Sequence, residues 1–293
     1  MKKLELILLT VIIALAFVLR LYKIDRPIGD WHSWRQADTA SVARNFVKVG
    51  YTPFIPKFDD LSSQTNNIDN PNGYRFVEFP VYNTMVAVVW KFFGISTTAA
   101  RLVTVFVSLA STIVLYLLVK HFSEARIALF AAFFYATIPY NVFYSSSILP
   151  GPTMVLWVLL TLLLFARWIE NSKWYWLGGA IVFANLAVLT WPIALFFFLP
   201  LAYLAFRKYG FLAIIRPSLW IFAILSVLPF VGWRIWMLNF PEGIPYAGFL
   251  LNDGNIRFKG AFFRWLIAER LGKLILTVGG FALFVIGAIT KPT

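Results

Sequence analysis

Apolar runs separated by short polar breaks fill most of this chain, and they set its first expected elements. The runs cover residues 4–21, 102–119, 127–149, 153–166, 174–191, 192–206, 217–233 and 274–290. A membrane-spanning helix needs roughly 17–25 apolar residues. The shorter runs therefore have to borrow interfacial Trp, Tyr or snorkelling Lys and Arg at their ends. The stretch from Trp174 to Phe206 carries no charge and is too long for one helix. Trp191-Pro192 is its natural break, because proline lacks an N–H donor and disfavours helix just before itself.

Charge in the breaks orients the spans. Lys120, His121 and Arg126 share one short loop, Arg167 and Lys173 a second, and Arg207, Lys208 and Arg216 a third. The alternate breaks, near 145–151 and 190–192, have no Lys or Arg. The positive-inside rule places the three basic loops in the cytoplasm. Lys2 and Lys3 before the first run put the N-terminus there too, as an uncleaved first span with no small-residue cleavage site after it. These assignments agree only if the apolar segment 80–95 does not cross, so it is expected to lie in the interface. The expected fold is an all-α polytopic membrane protein of about eight spans, treated as one domain over 1–293. Its external parts are a long first loop, 23–98, with interfacial helices, and a second long loop, 238–271. The chain ends two residues after Lys291, just beyond a span, and reads as C-terminally short.

Composition agrees with the membrane reading. Apolar residues make up 60% of the 293 and charged residues 13%, against about 25% charged in a typical soluble domain. Mean hydropathy is +0.76. With no cysteine there is no disulfide framework, thiolate nucleophile or Cys-based zinc site. The net charge of +13 calls for no nucleic-acid partner, because much of it sits in orienting loops.

Chemistry has to come from the polar first loop. Ala37, Ala40, Ala43, Phe46 and Val47 follow helical spacing and predict a short surface helix over 34–48, with Asp38 near its start. Asp30, His32, Arg35 and Asp38 lie close together in sequence. A carboxylate beside Arg and His could take a proton from an incoming hydroxyl, and the Arg could hold a phosphate. The plainer reading is a carboxylate favouring a helix N-terminus beside solvated charges. Glu78 precedes Phe79-Pro80 at the entry to the 80–95 segment and could serve a site or simply charge a helix start. Tyr140, Tyr144 and 145–147 end a span on the same side; their hydroxyls could bind sugar or phosphate, or anchor the span. Asp59, Asp60 and Asp69 could ligate a divalent ion, although a turn-rich loop explains them better.

Over nearly its whole length the chain resembles the GT-C membrane glycosyltransferases, in particular the bacterial family-39, protein-mannosyltransferase-like group that includes the lipid A aminoarabinose transferases. The residues carrying the resemblance are Ala40-Ser41-Val42-Ala43-Arg44-Asn45-Phe46, Glu78-Phe79-Pro80, Phe93-Gly94 with Arg101, Tyr144-Ser145, Leu149-Pro150 and Thr190-Trp191-Pro192. Their order and the topology carry it together.

The resemblance implies a reaction. A sugar passes from a polyprenyl-phosphate-linked donor to a hydroxyl of a lipid, glycan or protein acceptor. Transfer occurs at the outer face of the cell membrane, by single displacement with inversion. It further implies a first-loop Asp at the acceptor hydroxyl, Asp38 or Asp30 here, with Glu78 orienting, and basic groups on the leaving phosphate. Five positions depart from the family pattern. The usual acidic pair before the helix is Arg35-Gln36, an acidic residue after Leu149-Pro150 is Gly151, and two family lysines are Phe79 and Trp191. Arg35, Arg75, Tyr144, Arg257 and Lys259 are the remaining candidates for the donor phosphate. No cofactor is called for; a divalent cation is left open. A transporter or flippase for a lipid-linked sugar is the main rival, and a non-catalytic relative another. The charges gather in loops rather than at the middle of spans, which favours an enzyme over a transporter.

Overall fold

The computed structural model of the protein describes residues 3–64, 66–248 and 252–290. Lys2 and Lys291, used above for the N-terminal orientation and the short C-terminus, lie outside the described residues. The described chain is helical, with a single isolated bridge between Lys57 and Tyr74. The helices are α1 (Lys3–Leu21), α2 (Ser33–Lys48), α3 (Val81–Phe93), α4 (Thr97–Phe122), α5 (Ala125–Thr137), α6 (Pro139–Tyr144), α7 (Gly151–Asn171), α8 (Trp174–Thr190), α9 (Phe198–Tyr209), α10 (Pro217–Trp236), α11 (Gly260–Arg264) and α12 (Thr277–Ile289). Many large apolar side chains on α1, α9 and α10 face outward, as Leu4, Ile7, Val11, Leu199, Tyr203, Ile224 and Leu228 do. Such surface is costly in water and natural against lipid.

Five helical stretches are long and apolar enough to cross a membrane: Lys3–Leu21, Thr97–Phe122, Gly151–Asn171, Pro192–Ile215 and Pro217–Asn239. The bent pair Gly260–Ile275 and Thr277–Ile289 makes a sixth if taken as one span. The run 127–149 is not one straight helix. Ile138 is extended before Pro139, so α5 stops at Thr137 and α6 restarts after it. The run 274–290 is likewise not one helix, because a π-helical segment, Trp265–Ile275, meets α12 at 113°. Thr277 takes a left-handed backbone, φ 62°, at that corner. The break expected at Trp191-Pro192 is there: α8 ends at Thr190 and a 3₁₀ turn, Pro192–Phe197, follows.

Long-range polar contacts give the bundle two distinct ends. At one end Glu5 of α1 pairs with Lys120 of α4 at 2.6 Å, and His121 lies 3.1 Å from Glu170 of α7. At the other end Arg101 of α4 donates to the carbonyls of Ile24 and Arg26 just after α1. Arg20, fully buried, ties α1 to Ser108 of α4 at 3.1 Å, to Ser145 at 2.7 Å and to the Ala136 carbonyl at 2.9 Å. So α1 and α4 run antiparallel, and the first loop, with α2 and α3, begins and ends at the Arg20–Arg101 end. The basic loops after α4 and α7 share the opposite end.

Candidate functional site

Helix α2 occupies the segment expected over 34–48, but its buried stripe is turned from the one its alanines suggest. Gln36, Thr39, Val42, Ala43 and Phe46 are buried, while Ala37 is exposed. Polar satisfaction lets this happen. Gln36 donates to Asp30 at 2.5 Å and accepts from the Ile148 N–H at 3.2 Å. The Thr39 carbonyl accepts from Asn83 of α3 at 2.7 Å. A buried amide with its partners in place costs little. The turn leaves Ala37, Asp38, Ala40, Ser41 and Arg44 along a cleft of about 550 Å³, whose far wall includes Phe58, Asp60 and Trp90.

Asp38 is the carboxylate that opens into this cleft. Its side chain is 19% exposed and lies 3.1 Å from Nη2 of Arg75, which is 7% exposed. The Arg75 guanidinium also sits 4.9 Å from the Phe58 ring centre. Burial pushes the Asp38 carboxyl above the ordinary aspartate range; Arg75 and then Arg35 oppose the shift, while Asp60 and Glu78 add to it. Arg35 points to Glu78, 2.5 Å away, with both side chains mostly buried. Two alternating acid–base pairs thus stand side by side at the start of α2 and the entry to α3. Asp30 is elsewhere, held by Arg26 at 2.6 Å and by Gln36, and it does not line the cleft.

Of the positions where the resemblance implies another residue, Gly151 and Trp191 touch each other, and Phe79 packs elsewhere. The Phe79 N–H donates to the Leu189 carbonyl at 3.1 Å, joining the Glu78-Phe79-Pro80 element to the end of α8. The Phe79 ring packs on Trp233 and Phe54. Gly151 lies against Trp191, where a Cβ on the glycine would sit 3.1 Å from the indole.

Tyr144 is not in the Asp38 cleft. Its ring packs on Tyr140 at 4.5 Å and on His32 at 6.0 Å. His32 has left-handed backbone, φ 60°, and stacks on Trp31 just before α2. Arg257 and Lys259 lie at a 3₁₀ turn, Asp253–Phe258, and its end, and likewise do not line the cleft. One second-loop cation that reaches the first loop is Arg270. Its guanidinium is 4.5 Å from the Trp265 ring centre and 5.8 Å from that of Trp31, and its charge reaches the Tyr144 hydroxyl. Arg270 borders a second recess of about 470 Å³ with Trp265, Glu269 and Lys273. In sequence it is one basic residue among several in a loop; only its aromatic neighbours mark it.

Among the described residues no group of three His, Asp or Glu side chains is arranged to hold a metal ion. Asp59 pairs with Arg44, and Asp60 accepts from the Ser62 N–H at 2.9 Å.

The model of the dolichyl-phosphate-mannose-protein mannosyltransferase family matches residues 71–236, more than half of the chain. The chain belongs to this family. It is thereby a member of the GT-C-type membrane glycosyltransferases. The apo crystal structure of the Archaeoglobus fulgidus oligosaccharyltransferase is similar over 100% of this chain and 40% of that one, with a TM-score of 0.52 and 15% identity. At that identity the likeness is one of fold, and this chain spans less than half the length of the archaeal enzyme. A search of the curated proteins finds no match. The mannosyltransferase-family match takes in Arg75 and Glu78 and begins after Asp38.

Proposed function

We propose that this chain transfers a sugar from a polyprenyl-phosphate-linked donor to a hydroxyl acceptor on the extracytoplasmic face of the cell membrane. The observation carrying this is Asp38 at the cleft, backed by the buried Arg75, while Asp30 is consumed by structural contacts. Asp38 accepts the proton of the acceptor hydroxyl as its oxygen bonds to the sugar's anomeric carbon. The bond from that carbon to the donor phosphate breaks, and the polyprenyl phosphate leaves with the electron pair. Attack opposite the leaving group inverts the centre.

Arg35 and Arg75 are already held by Glu78 and Asp38, so they position the base rather than bind the donor. Arg270 has aromatic neighbours and no ion-pair partner among the described residues. For one displacement the sugar has to bridge the Asp38 cleft and the recess at Arg270, where this cation, with the Tyr144 hydroxyl, stabilises the charge developing on the leaving phosphate. The basic loops at 120–126, 167–173 and 207–216 face the cytoplasm and residues 24–98 the outside. The antiparallel run of α1 and α4 brings the first loop in and out at one end, and the charge of the loops supports which side that end faces.

The test is incorporation of radiolabelled mannose from a polyprenyl-phosphate donor into a membrane acceptor fraction by purified protein. Transfer that the Asp38→Asn variant lacks supports the reading. A wild-type protein that moves the intact lipid-linked sugar across vesicles and transfers nothing supports the transporter rival instead.

A further inference from the structure

Away from the Asp38 site, the sharpest unexplained feature is a groove at the opposite end of the bundle. Helix α9 ends at Gly210, whose φ of 57° lets the chain turn back. A 3₁₀ segment, Gly210–Ile215, then folds beside α9 before α10 begins at Pro217. Together they enclose a space of about 430 Å³ walled by Leu201, Ala205, Phe206, Ala213, Trp220 and Phe222. Every wall residue is apolar, and Trp220 closes one side by donating its indole N–H to the Ile214 carbonyl at 2.7 Å.

Cations flank the groove-lining residues in the chain. Arg207 and Lys208 follow Phe206 directly, and Arg216 precedes α10. All three are exposed, and none is in an ion pair among the described residues. The Arg216 guanidinium is held 3.7 Å from the Tyr209 ring centre, which fixes one charge beside the mouth. The N-terminus of the 20-residue α10 adds a positive dipole end at the same place. An apolar slot with a cationic rim is complementary to one kind of molecule, an acyl chain bearing an anionic headgroup.

We propose that this groove is a binding site for one anionic phospholipid, with an acyl chain in the slot and the headgroup phosphate against Arg207, Lys208 and Arg216. Lys and Arg near a membrane surface each favour anionic lipid by about fivefold. Three of them set an upper limit on the order of a hundredfold over a zwitterionic lipid.

Trp220 supplies the readout. The full chain is reconstituted in phosphatidylcholine vesicles carrying brominated phosphatidylglycerol or, separately, brominated phosphatidylcholine. The Trp220 contribution to quenching is taken as the difference between wild type and Trp220→Phe. Brominated phosphatidylglycerol should quench Trp220 at a mole fraction at least about tenfold lower, and the effect should saturate. The preference should fall toward one in the R207Q/K208Q/R216Q variant. Equal quenching by the two lipids, or quenching that only rises in proportion to mole fraction, overturns the site. An undiminished preference in the triple variant does so too. If that variant does not fold, the wild-type comparison and its saturation decide alone.

Discussion

Gly151 packs directly against the ring of Trp191, so closely that a Cβ at 151 would lie 3.1 Å from the indole. These are two of the positions at which the resemblance implies a polar residue, and they touch each other. The large indole fills space that a side chain at 151 would need. Gly151→Asp should therefore destabilise the protein by about 1–3 kcal/mol through overpacking. Trp191→Lys in the same chain should recover part of that loss, giving a coupling within about 0.5–3 kcal/mol. Thermal unfolding of the two single variants and the double variant in detergent measures it; strictly additive effects would show that the contact does not link the positions.

The two first-loop aspartates should separate cleanly. Asp38→Asn removes the proton acceptor and keeps its shape, so transfer should drop by about 10²–10⁴-fold. It should not cost stability near neutral pH, because a carboxyl whose folded pKa is raised stabilises only while protonated and loses that contribution as pH rises through the folded value. Asp30→Asn breaks the contacts to Arg26 and Gln36 and should appear mainly as a lower unfolding temperature. The reverse pattern, with transfer abolished only by the Asp30 change, would assign the base to Asp30.

The raised Asp38 pKa has a pH signature. Activity needs the ionised carboxylate, so transfer should fall on the acid side at a pH above the ordinary aspartate range. Arg75 opposes the shift, and Arg75→Gln should move the acid limb to still higher pH while slowing the reaction at low pH most. A pH–rate profile whose acid limb is unmoved in Arg75→Gln would mean that Asp38 does not set it.

Arg270 and Arg35 should differ in kind. Loss of a charged hydrogen bond to the donor phosphate costs about 1.5–3 kcal/mol, so Arg270→Gln should weaken donor use at least tenfold. Arg35→Gln frees Glu78 and should lower turnover with a smaller change in donor KM. Donor titrations on both variants decide; normal donor kinetics in Arg270→Gln would return the phosphate to Arg35 or Arg75.

The absence of native cysteine allows a clean test of orientation. A cysteine at Ser123, in the loop after α4, should resist an impermeant thiol reagent from outside intact cells. One at Ser62, in the first loop, should react. Labelling of Ser123→Cys from outside would invert the whole arrangement.

The sequence by itself determined the elements whose cause is local. Apolar runs of span length gave α1, α4 and α10, and a shorter run extended at its ends gave α7. Proline placed the break after Thr190, helical spacing predicted α2 over 34–48, and the ordered motifs pointed to the GT-C fold. Local chemistry also explains two of the lapses. Pro139 was present in the 127–149 run and stops α5, and the bend before α12 turns on the left-handed Thr277, a conformation no composition announces. The tertiary structure decided everything that depends on residues far apart in the chain. Which face of α2 is buried turned on Gln36 finding Ile148, 112 positions away. Which aspartate opens into a cleft turned on Arg75 and Asp30 finding their partners. Arg270 became a candidate only because the second loop brings it onto Trp31. Periodicity records how a helix shares its surface between polar and apolar residues; it carries no record of which distant side chain satisfies a polar group, and that satisfaction determines which charges are left to do chemistry.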